Sequence, residues 1–420
     1  MRIGIIGAGN VGTALGRGWV KAGHQVVYGM RSPGPAPHEG ASTDSIRGAA
    51  SSADAVVLAT PWTAVEDALA AAGDLSGRPL LDATNPIGPG FQLALGHTTS
   101  GAEHVAAIAR NARVVKAFNT TGFENMEDPR YGAARVLMPV CGDDQEAVAV
   151  AARLAAELGF EAIALPSLSR ARDLEPFALL WIKLAMQWGV GRKIAYALQR
   201  RTPGDTPPTR PTQRARRITI VGSGNIGGAL AKAWLRAGHS VRIAARDTAT
   251  DDVRELVALS ATALPVAGAA SDAEVVVFAI PAGAVLDTAR AMGDLSGKVL
   301  VDCTNAIGKG FTLIHGHTTS ASEVLAQALP GVHVVRAFNQ QGAEVLRNPV
   351  FSGQAATNFV AGDDPAARAL VAALSVDAGL DTVEAGPLST ARCLEPLTLL
   401  WIALSQAIGT REFGLSLLRR

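Results

Sequence analysis

Short apolar runs alternate with stretches of helical periodicity in the first half of the chain. The runs, rich in Val, Ile, Leu and Ala, occupy residues 3–6, 26–28, 55–59, 80–81, 114–117 and 136–140. Continuous apolar strands that alternate with helices are typical of a parallel sheet whose two faces are both covered. The pattern therefore predicts the α/β class, with a doubly wound parallel sheet.

The second half of the chain repeats the first. The glycine-rich segment 3–12 returns at 218–227, and the segment 81–85 returns at 301–305. The offset is 215 residues between Gly7 and Gly222, and 220 residues between Asn85 and Asn305. This period is far longer than the ~20–50 residues of solenoid repeats. Each copy is therefore predicted to be a complete Rossmann domain with a small helical C-terminal domain.

The two copies are separated by the segment 202–215, which contains four prolines and has no hydrophobic periodicity. This composition predicts a semi-extended linker. We place the first copy at 1–201, with its Rossmann part to about 165 and its helical cap at 166–201. The second copy takes 216–420, with its Rossmann part to about 385 and its cap at 386–420.

The end of the first copy predicts one long apolar helix, from about 174 to 199. Leu174, Phe177 and Trp181 belong to an apolar stripe with spacings of three and four residues, which must be buried. An isologous dimer buries such a stripe against its partner. We therefore expect the two halves to pair within the chain as a pseudo-dimer; the alternative is that each helix packs only on its own Rossmann domain.

Composition narrows the choice of partners. The 420 residues include 38 Lys and Arg against 37 Asp and Glu, a balance that argues against nucleic acid or an anionic membrane as the main partner. The three cysteines are too few for a disulfide scaffold and fit a reducing cytoplasm. The sequence opens on an apolar strand rather than a signal peptide, and its most apolar segment is shorter than the ~20 residues of a membrane span. We expect a cytoplasmic protein with a small-molecule substrate.

A glycine-rich loop follows the first strand of each copy and opens a helix. The first glycine permits a tight turn, the second lets the backbone approach a pyrophosphate, and the third lets strand and helix pack closely. The pyrophosphate then lies at the helix N-terminus. The predicted dinucleotide-binding loops comprise Gly7, Gly9, Asn10, Val11 and Gly12 in the first copy, and Gly222, Gly224, Asn225, Ile226 and Gly227 in the second.

The residues after the second strand favour NADP over NAD. A protein that binds NAD places Asp or Glu about 20 residues after the loop, on the ribose hydroxyls. Arg31 and Ser32 occupy this region instead, and a guanidinium can stack on adenine and pair with a 2′-phosphate. The second copy has Arg246 followed by Asp247, which either faces the pocket and repels a phosphate or only starts a turn.

Further candidates come directly after the other strands, because ligands of doubly wound sheets bind at the carboxyl ends of the strands. Asn85 and Asn119 could hydrogen-bond the nicotinamide end, although asparagines that only close loops are the alternative. The remaining cofactor-binding candidates at this edge are Thr60, Pro61 and Ala117 in the first copy, and Ile280, Pro281, Asn305 and Ala337 in the second.

Neither a catalytic triad nor a carboxylate pair recurs in both copies. His97 and His317 share one sequence context, but a metal would need further His or Cys ligands at a suitable spacing. We interpret them as loop histidines and expect no metal, because capping boxes that begin at Ser100 and Ser320 follow them. Hydride transfer between two cofactors can proceed through positioning alone.

Three sequence blocks are more specific than the glycines. They are Ala-Phe-Asn at 117–119 and 337–339, Gly-Asp-Asp at 142–144 and 362–364, and Leu-Glu-Pro followed by Leu-Trp-Ile at 174–182 and 394–402. On these blocks each half resembles the NADPH-dependent deazaflavin coenzyme F420 reductase family, whose nucleotide-binding domain also occurs in the six-transmembrane epithelial metalloreductases. Family members are single copies that pair as homodimers, so this chain looks like a fused dimer.

The resemblance implies hydride exchange between nicotinamide C4 and deazaflavin C5, stacked face to face. It places Phe118, Asn119 and Thr120 on the acceptor side of the first half, with Phe338, Asn339 and Gln340 at the same positions of the second. The same resemblance puts these residues in the NADP site: Asn10, Arg31, Ser32, Pro61, Asn85 and Ala117. Since Thr120 is replaced by Gln340, the second half has a different acceptor pocket or none.

Three functions stay open from the sequence. The leading hypothesis is an NADPH-dependent reductase of a deazaflavin or a flavin. A second is an NADPH-dependent reductase of a small imine or carbonyl compound of a biosynthetic pathway, which needs a proton donor near 118–121 or on the C-terminal helices. A third is that one or both halves only bind NADP without catalysis.

Overall fold

All six apolar runs of the first copy form strands in the computed structural model, which describes residues 1–32 and 34–420. The elements of this copy, in chain order, are β1 (Arg2–Ile6), α1 (Asn10–Lys21), β2 (Gln25–Met30), β3 (Ala41–Ser45), α2 (Ile46–Ser51), β4 (Ala55–Leu58), α3 (Val65–Ala72), β5 (Pro79–Asp82), β6 (Ile87–Gly88), β7 (Gln92–Leu93), α4 (Gly101–Ile108), β8 (Arg113–Lys116), α5 (Phe123–Glu127), β9 (Arg130–Tyr131), β10 (Ala134–Arg135), β11 (Leu137–Gly142), α6 (Gln145–Glu157), β12 (Glu161–Pro166), α7 (Ala171–Met186) and β13 (Ile194–Arg200).

Eight of these strands form one sheet in the order β12-β11-β8-β5-β4-β1-β2-β3. Its central strands are parallel: Ile5 lies opposite Tyr28 on one side and Val57 on the other. Only β11 against β8 is antiparallel, with Cys141 opposite Lys116. Because the central strands are parallel, β1, β4, β5 and β8 end at one edge of the sheet, which carries the functional site.

The second copy repeats this architecture. Its elements are β14 (Arg217–Val221), α8 (Asn225–Ala237), β15 (Ser240–Ala245), α9 (Asp251–Ala258), β16 (Thr262–Pro265), β17 (Val275–Phe278), α10 (Val285–Ala291), β18 (Val299–Asp302), α11 (Ala321–Ala328), β19 (His333–Arg336), α12 (Ala343–Arg347), β20 (Val350–Phe351), β21 (Gln354–Ala355), β22 (Thr357–Gly362), α13 (Pro365–Asp377), β23 (Asp381–Glu384), α14 (Ala391–Ile408) and β24 (Phe413–Arg419). The sheet order is β16-β15-β14-β17-β18-β19-β22-β23. The prediction of two tandem Rossmann-type α/β sheets is confirmed.

The prediction of a single helix from about 174 to 199 is wrong. The helix α7 ends at Met186, and Ile194–Arg200 form the strand β13. Gly189 and Gly191 lie between them with φ of 71° and 89°, a left-handed conformation that stops a helix. The end of each copy therefore combines one helix with one strand.

Aromatic side chains of the predicted apolar stripe pack inside their own half. Phe177 stacks on Tyr196 with ring centroids 3.8 Å apart, and Trp181 Nε1 donates to the carbonyl of Ile194 at 2.9 Å. In the second half, Trp401 stacks on Phe413 at 5.1 Å. These contacts account for part of the stripe without a partner half.

The chain divides into two compact units. The first comprises Met1–Ala197, Gln406–Gly409 and Leu417–Arg420, and the second comprises Leu198–Ser405 and Thr410–Ser416. The proline-rich segment thus belongs to the second unit, where Asp205 holds it. The carboxylate of Asp205 accepts N–H groups of Thr202, Ser352 and Gly353, and these bonds lower its pKa to about 2.

Candidate nucleotide and hydride-transfer site

The three glycines of the first loop differ in what surrounds them. Gly7 has a φ of 113°, and a Cβ there would lie 2.4 Å from the carbonyl oxygen of Ala59. A Cβ on Gly12 would lie 2.0 Å from the Gly7 carbonyl oxygen. Gly9 is different, because its φ is −77° and a Cβ would meet no atom within 4 Å. The fold itself requires the first and third glycines, whereas Gly9 leaves open space beside the loop.

The second loop reproduces this arrangement. A Cβ on Gly222, whose φ is 100°, would lie 2.6 Å from the Ala279 carbonyl oxygen, and one on Gly227 would lie 2.0 Å from that of Gly222. Gly224 again has an ordinary φ of −66° and empty space where a Cβ would be. Both loops therefore keep one glycine whose φ any residue could adopt and beside which a ligand could approach the backbone.

The helices that follow these loops begin without a capping side chain. Neither α1 nor α8 has a side-chain cap or an acidic residue in its first turn. By contrast, Ser100 caps α4 and Ser320 caps α11, which confirms the predicted caps. Free N–H groups and the positive end of the helix dipole favour an anion at the loops. Asn10 and Asn225, the first helical residues, are exposed there.

The second loop also has two cationic side chains beside it. Lys232 and Arg347 line a cavity of about 130 Å³ together with the loop. Asp252 and Glu255 line it too, and Lys232 Nζ donates to Glu255 Oε1 at 2.5 Å. The Arg347 guanidinium donates to Asn225 Oδ1 at 2.6 Å. Sequence reasoning missed Arg347, because it lies on α12, 122 residues from the loop that it contacts.

Arg31 and Arg246 lie at the ends of β2 and β15, and both are exposed. In the described part of the chain, no hydrogen bond or ion pair engages either guanidinium. Arg246 lines a cavity of about 610 Å³ with Gly222, and its neighbour Asp247 uses Oδ1 to accept the Ala249 N–H at 2.8 Å. Asp247 thus closes a turn, but it also lines this cavity, so the cavity carries both a guanidinium and a carboxylate.

Changing Arg31 to Glu is expected to weaken NADPH binding at the first loop by about 1.5–3 kcal/mol, since it replaces a charge-assisted donor by a repelling carboxylate. Calorimetric titration of a chain whose second loop is blocked by Gly224→Trp measures this. NADH, which lacks the 2′-phosphate, serves as the control ligand and should bind the variant no worse than the original chain. Equal affinities of the unchanged protein for NADH and NADPH would contradict the assignment.

Other predicted residues lie at the same edge of their sheets. Thr60 and Pro61 follow β4, and Ile280 and Pro281 follow β17; the two prolines are exposed. Ile280 and Pro281 line the 610 Å³ cavity of the second half.

The two predicted asparagines of each half contact each other. Asn119 Nδ2 donates to Asn85 Oδ1 at 3.1 Å, and Asn85 Nδ2 donates to the Asn119 carbonyl at 2.8 Å. In the second half the matching distances between Asn339 and Asn305 are 3.3 and 3.2 Å. Each pair joins the loops after two neighbouring strands, where a nicotinamide would lie.

The rings of Phe118 and Phe338 lie in the core and not at an acceptor surface. Phe118 is 1% exposed and contacts Trp19 edge-to-face at 5.6 Å, while Phe338 does so with Trp234 at 5.7 Å. Both phenylalanines have a φ of 61°, which is strained for a side chain of this size. The side chains of Ala117 and Ala337 are fully buried as well. These four residues could reach a ligand only through their backbone atoms.

Below the asparagine pair lies a buried charge cluster that sequence reasoning missed. Lys116 Nζ lies 2.9 Å from Asp82 Oδ2 and 3.1 Å from Glu175 Oε1, and all three side chains are at most 1% exposed. Burial opposes the charge on Lys116, but the two carboxylates outweigh burial and raise its pKa. Burial raises the pKa of Glu175. Glu175 also accepts the first N–H groups of α4, from Gly101 and Ala102.

The second half has the same cluster with arginine in place of lysine. Arg336 Nη1 lies 2.7 Å from Asp302 Oδ2 and 3.8 Å from Glu395 Oε1. Burial raises the pKa of Glu395. The signal for this cluster was in the sequence: both copies place a basic residue and an aspartate at the ends of apolar strands, and a glutamate in the Leu-Glu-Pro block.

His97 and His317 lie in loops with φ of 64° and 58°. Within residues 1–32 and 34–420, no group of three or more His, Cys, Asp or Glu side chains could hold a metal ion. The three cysteines are buried, and none of them forms a disulfide within the described residues. Among the helices that the structure describes, none has both the length and the apolar character to cross a membrane.

Comparison with known proteins agrees with the motifs. The sequence model of the family "NADP oxidoreductase coenzyme F420-dependent" matches residues 2–86 and again residues 217–306. Each match runs from the first strand through the glycine loop to the asparagine that follows the strand β5 or β18. The predicted resemblance is confirmed in both halves, as a tandem duplication.

Individual relatives each match about half of this chain. The rat protein "Metalloreductase STEAP3" is 31% identical over 202 residues, which are 47% of this chain and 40% of that protein. A solved structure of a provisionally named F420 dependent NADP-reductase from Arthrobacter sp. FB24 is 30% identical, with a TM-score of 0.44, and the match covers 47% of this chain and 97% of that one. A reductive aminase from Aspergillus terreus, solved with NADPH4, is 20% identical with a TM-score of 0.36, over 47% of this chain and 64% of that one.

Proposed function

We propose that this chain, an NADP-dependent oxidoreductase whose halves each carry the nucleotide-binding domain of the coenzyme F420-dependent NADP oxidoreductase family, transfers hydride from NADPH to a deazaflavin or a flavin. The observation that supports nucleotide binding best is the empty space at Gly9 and Gly224. Both residues have ordinary φ values, so the backbone does not require glycine, whereas a pyrophosphate against the loop does.

The chain's own residues would hold the cofactor from one end to the other. The loop N–H groups of α1 would bind the pyrophosphate, and Arg31 would bind the 2′-phosphate. The Asn85–Asn119 pair would orient the nicotinamide above the carboxyl edge of the sheet. NADPH bound there supplies a hydride, so NADPH becomes NADP⁺ while the acceptor gains the hydride and one proton from solvent. The protein contributes position and exclusion of water.

The second candidate function is reduction of a small imine or carbonyl compound, and one side chain favours it. Asp173 is 4% exposed, and burial raises its pKa to about 7 although Arg170 and Arg172 lower it in part. Its neighbour Leu174 accepts a hydrogen bond from Asn119 Nδ2 at 3.4 Å through its carbonyl. A carboxyl that is protonated near neutral pH could supply the proton that such a substrate needs.

Oxidation of NADPH in the presence of coenzyme F420, FMN, a cyclic imine, or no acceptor tests these alternatives. We expect oxidation with F420 or FMN that exceeds the rate with the imine and with no acceptor. Oxidation that is fastest with the imine would favour the second candidate instead. No oxidation with any acceptor would contradict the enzymatic proposal.

Replacing Gly9 with Ala is expected to leave the first unit folded and to weaken its NADPH binding at least about tenfold, because the new Cβ occupies only the space meant for the pyrophosphate. Titration calorimetry and thermal unfolding measure the two effects. Gly12→Ala is the matched control. Its Cβ would lie 2.0 Å from the Gly7 carbonyl oxygen, so this variant should lose stability. Unchanged NADPH affinity in Gly9→Ala would refute the loop assignment.

We also propose that the two halves pair within the chain and that the protein is cytoplasmic. Pairing rests on the apolar stripe of the C-terminal helices, and the location rests on three buried cysteines that form no disulfide within the described residues. Separately expressed halves should aggregate or associate with each other. Halves that stay monomeric, soluble and fully active would speak against pairing.

A further inference from the structure

The two halves differ in how they satisfy the polar atoms around the asparagine pair. In the second half, Gln340 Nε2 donates to Asn339 Oδ1 at 3.2 Å. Gln340 is itself fixed, because its amide also donates to the Phe359 carbonyl at 2.7 Å and accepts the Phe359 N–H at 2.9 Å. The side-chain oxygen of Asn339 is thus occupied by the protein.

The partner asparagine of the second half is occupied too. Asn305 Oδ1 receives Arg336 Nη2 at 3.0 Å and lies 3.0 Å from the hydroxyl of Thr398. The same hydroxyl lies 2.7 Å from the Asn339 carbonyl oxygen. Each acceptor in this cluster has a donor from the chain itself.

The first half lacks these donors. Its residues at the positions of Gln340 and Thr398 are Thr120 and Ala178. Among the described residues, neither Asn119 Oδ1 nor Thr120 Oγ1 has a hydrogen-bond partner, although the two residues are 3% and 1% exposed. Thr60 Oγ1, after a neighbouring strand, is also buried without a partner.

Unpaired buried polar atoms are costly, at about 1–3 kcal/mol each. Three of them occur on one edge of the first sheet, after β4 and β8, which flank the same strand. At the matching positions of the second half, Ile280 has no polar side-chain atom, and Asn339 and Gln340 are paired. A ligand with an N–H donor would pair with unpaired atoms of the first half. At the matching positions, all of which the structure describes, the second half has no unpaired acceptor for such a donor.

We infer, on the basis of the proposed function, that hydride transfer takes place in the first half, where Asn119 and Thr120 hydrogen-bond an amide N–H of the bound reactants, and that the second half holds NADPH without transferring hydride. The second half keeps its glycine loop, Arg246 and a cavity of about 610 Å³, so it retains the elements that would bind a nucleotide. The chain would then be a fused pair with one reacting site and one nucleotide-binding site.

The first test measures how many of the bound NADPH molecules transfer a hydride. The full-length protein is saturated with NADPH, free nucleotide is removed, and the bound nucleotide is mixed rapidly with the acceptor, F420 or FMN. We expect two bound NADPH per chain and a fast phase that oxidises one of them. Two equivalents oxidised at the same rate would overturn the inference and leave the proposed function standing. No oxidation at all would overturn both.

The second test gives the first half the glutamine that occupies the asparagine side-chain oxygen in the second half. Thr120→Gln should slow the fast phase at least about tenfold. Thr120→Val, which keeps the shape and removes only the hydroxyl, guards against misfolding and should slow the fast phase less, while Thr120→Ser restores most of the rate. A weaker NADPH affinity in Thr120→Gln would assign this N–H to the carboxamide of the nicotinamide, and a raised acceptor KM would assign it to the ring N–H of the acceptor.

The matched control is Thr398→Ala, which gives the second half the alanine of the first. It should leave the rate of the fast phase within about twofold, because Thr398 belongs to the half without hydride transfer. A loss in Thr398→Ala as large as that in Thr120→Gln would overturn the inference.

Discussion

Replacing Lys116 with methionine is expected to lower the free energy of unfolding of the first unit by about 3–5 kcal/mol, the scale of breaking a buried ion pair from one side. The ammonium contacts Asp82 Oδ2 at 2.9 Å, the Thr84 carbonyl at 2.6 Å and Glu175 Oε1 at 3.1 Å. Its removal leaves two buried carboxylates together without a cation between them. Methionine fills a similar volume, so the loss of stability measures the effect of the missing charge rather than the effect of a cavity.

Because the chain has two units, unfolding by urea is best followed locally, by hydrogen exchange of the peptides that contain β5 and β8. The control is Lys116→Arg, since the second half places Arg336 at the same position, 2.7 Å from Asp302 Oδ2. It should lose clearly less stability than Lys116→Met. A Lys116→Met variant within about 1 kcal/mol of the original chain would show that the cluster carries little stability.

The sequence predicts the strands that are buried on both faces, because such strands consist of a continuous apolar run. β4 reads Ala-Val-Val-Leu and is fully buried, so its signal is unambiguous. β3 reads Ala-Ser-Thr-Asp-Ser and lies at the sheet edge, where half-exposed residues carry no apolar pattern. It could not be predicted for that reason. β12, at the opposite edge, has the apolar run Ala-Ile-Ala-Leu but is only partly buried. Edge strands depend on their neighbours more than on their own residues.

The candidate site divides in a similar way. Gly9 and Arg31 could be predicted, because a phosphate loop is a local pattern within one strand, turn and helix. The Lys116 cluster could not, because it joins residues from β5, β8 and α7 that meet only in the folded chain. The hydrogen bond by which Gln340 occupies Asn339 in the second half could not be predicted either, because it depends on the tertiary structure. The sequence shows that Thr120 and Gln340 differ, whereas only the structure shows that the amide of Gln340 binds Asn339.

The residues that are identical in the two copies and the residues that differ therefore give different information about function. The equal ones, such as Gly9 and Gly224, support the proposal that both halves bind the same nucleotide. The different ones, such as Thr120 and Gln340 or Asp173 and Cys393, distinguish what each half can do with it.

Replacing Asp173 with asparagine is expected to remove a pH dependence from the stability of the first unit. Burial raises the pKa of Asp173 from 3.8 to about 7 in the folded chain, with Arg170 and Arg172 opposing this in part. Between these two pH values the unfolded chain has lost the proton and the folded chain keeps it. Stability from this group is therefore complete below about pH 4 and declines as the pH rises to about 7.

The expected size follows from the shift of about 3 pKa units, on the order of 4 kcal/mol at pH 8. Asparagine has no charge to bury and still offers an oxygen to Arg170, whose Nη1 lies 2.8 Å from Asp173 Oδ2. At pH 8 the Asp173→Asn variant should thus be the more stable protein, while at pH 4 the two should be similar. Urea unfolding at both pH values, again followed in the first unit, measures the difference.

The second half supplies the reciprocal experiment. It has Cys393 at the same position, 2% exposed, and Thr390 where the first half has Arg170. Cys393→Asp should therefore introduce a loss of stability with rising pH into the second unit, and a larger one than in the first, because no arginine at position 390 offsets the burial of the charge. If Asp173→Asn kept the same decline between pH 4 and 7 as the original chain, that decline would belong to other groups, and the raised pKa of Asp173 would be refuted.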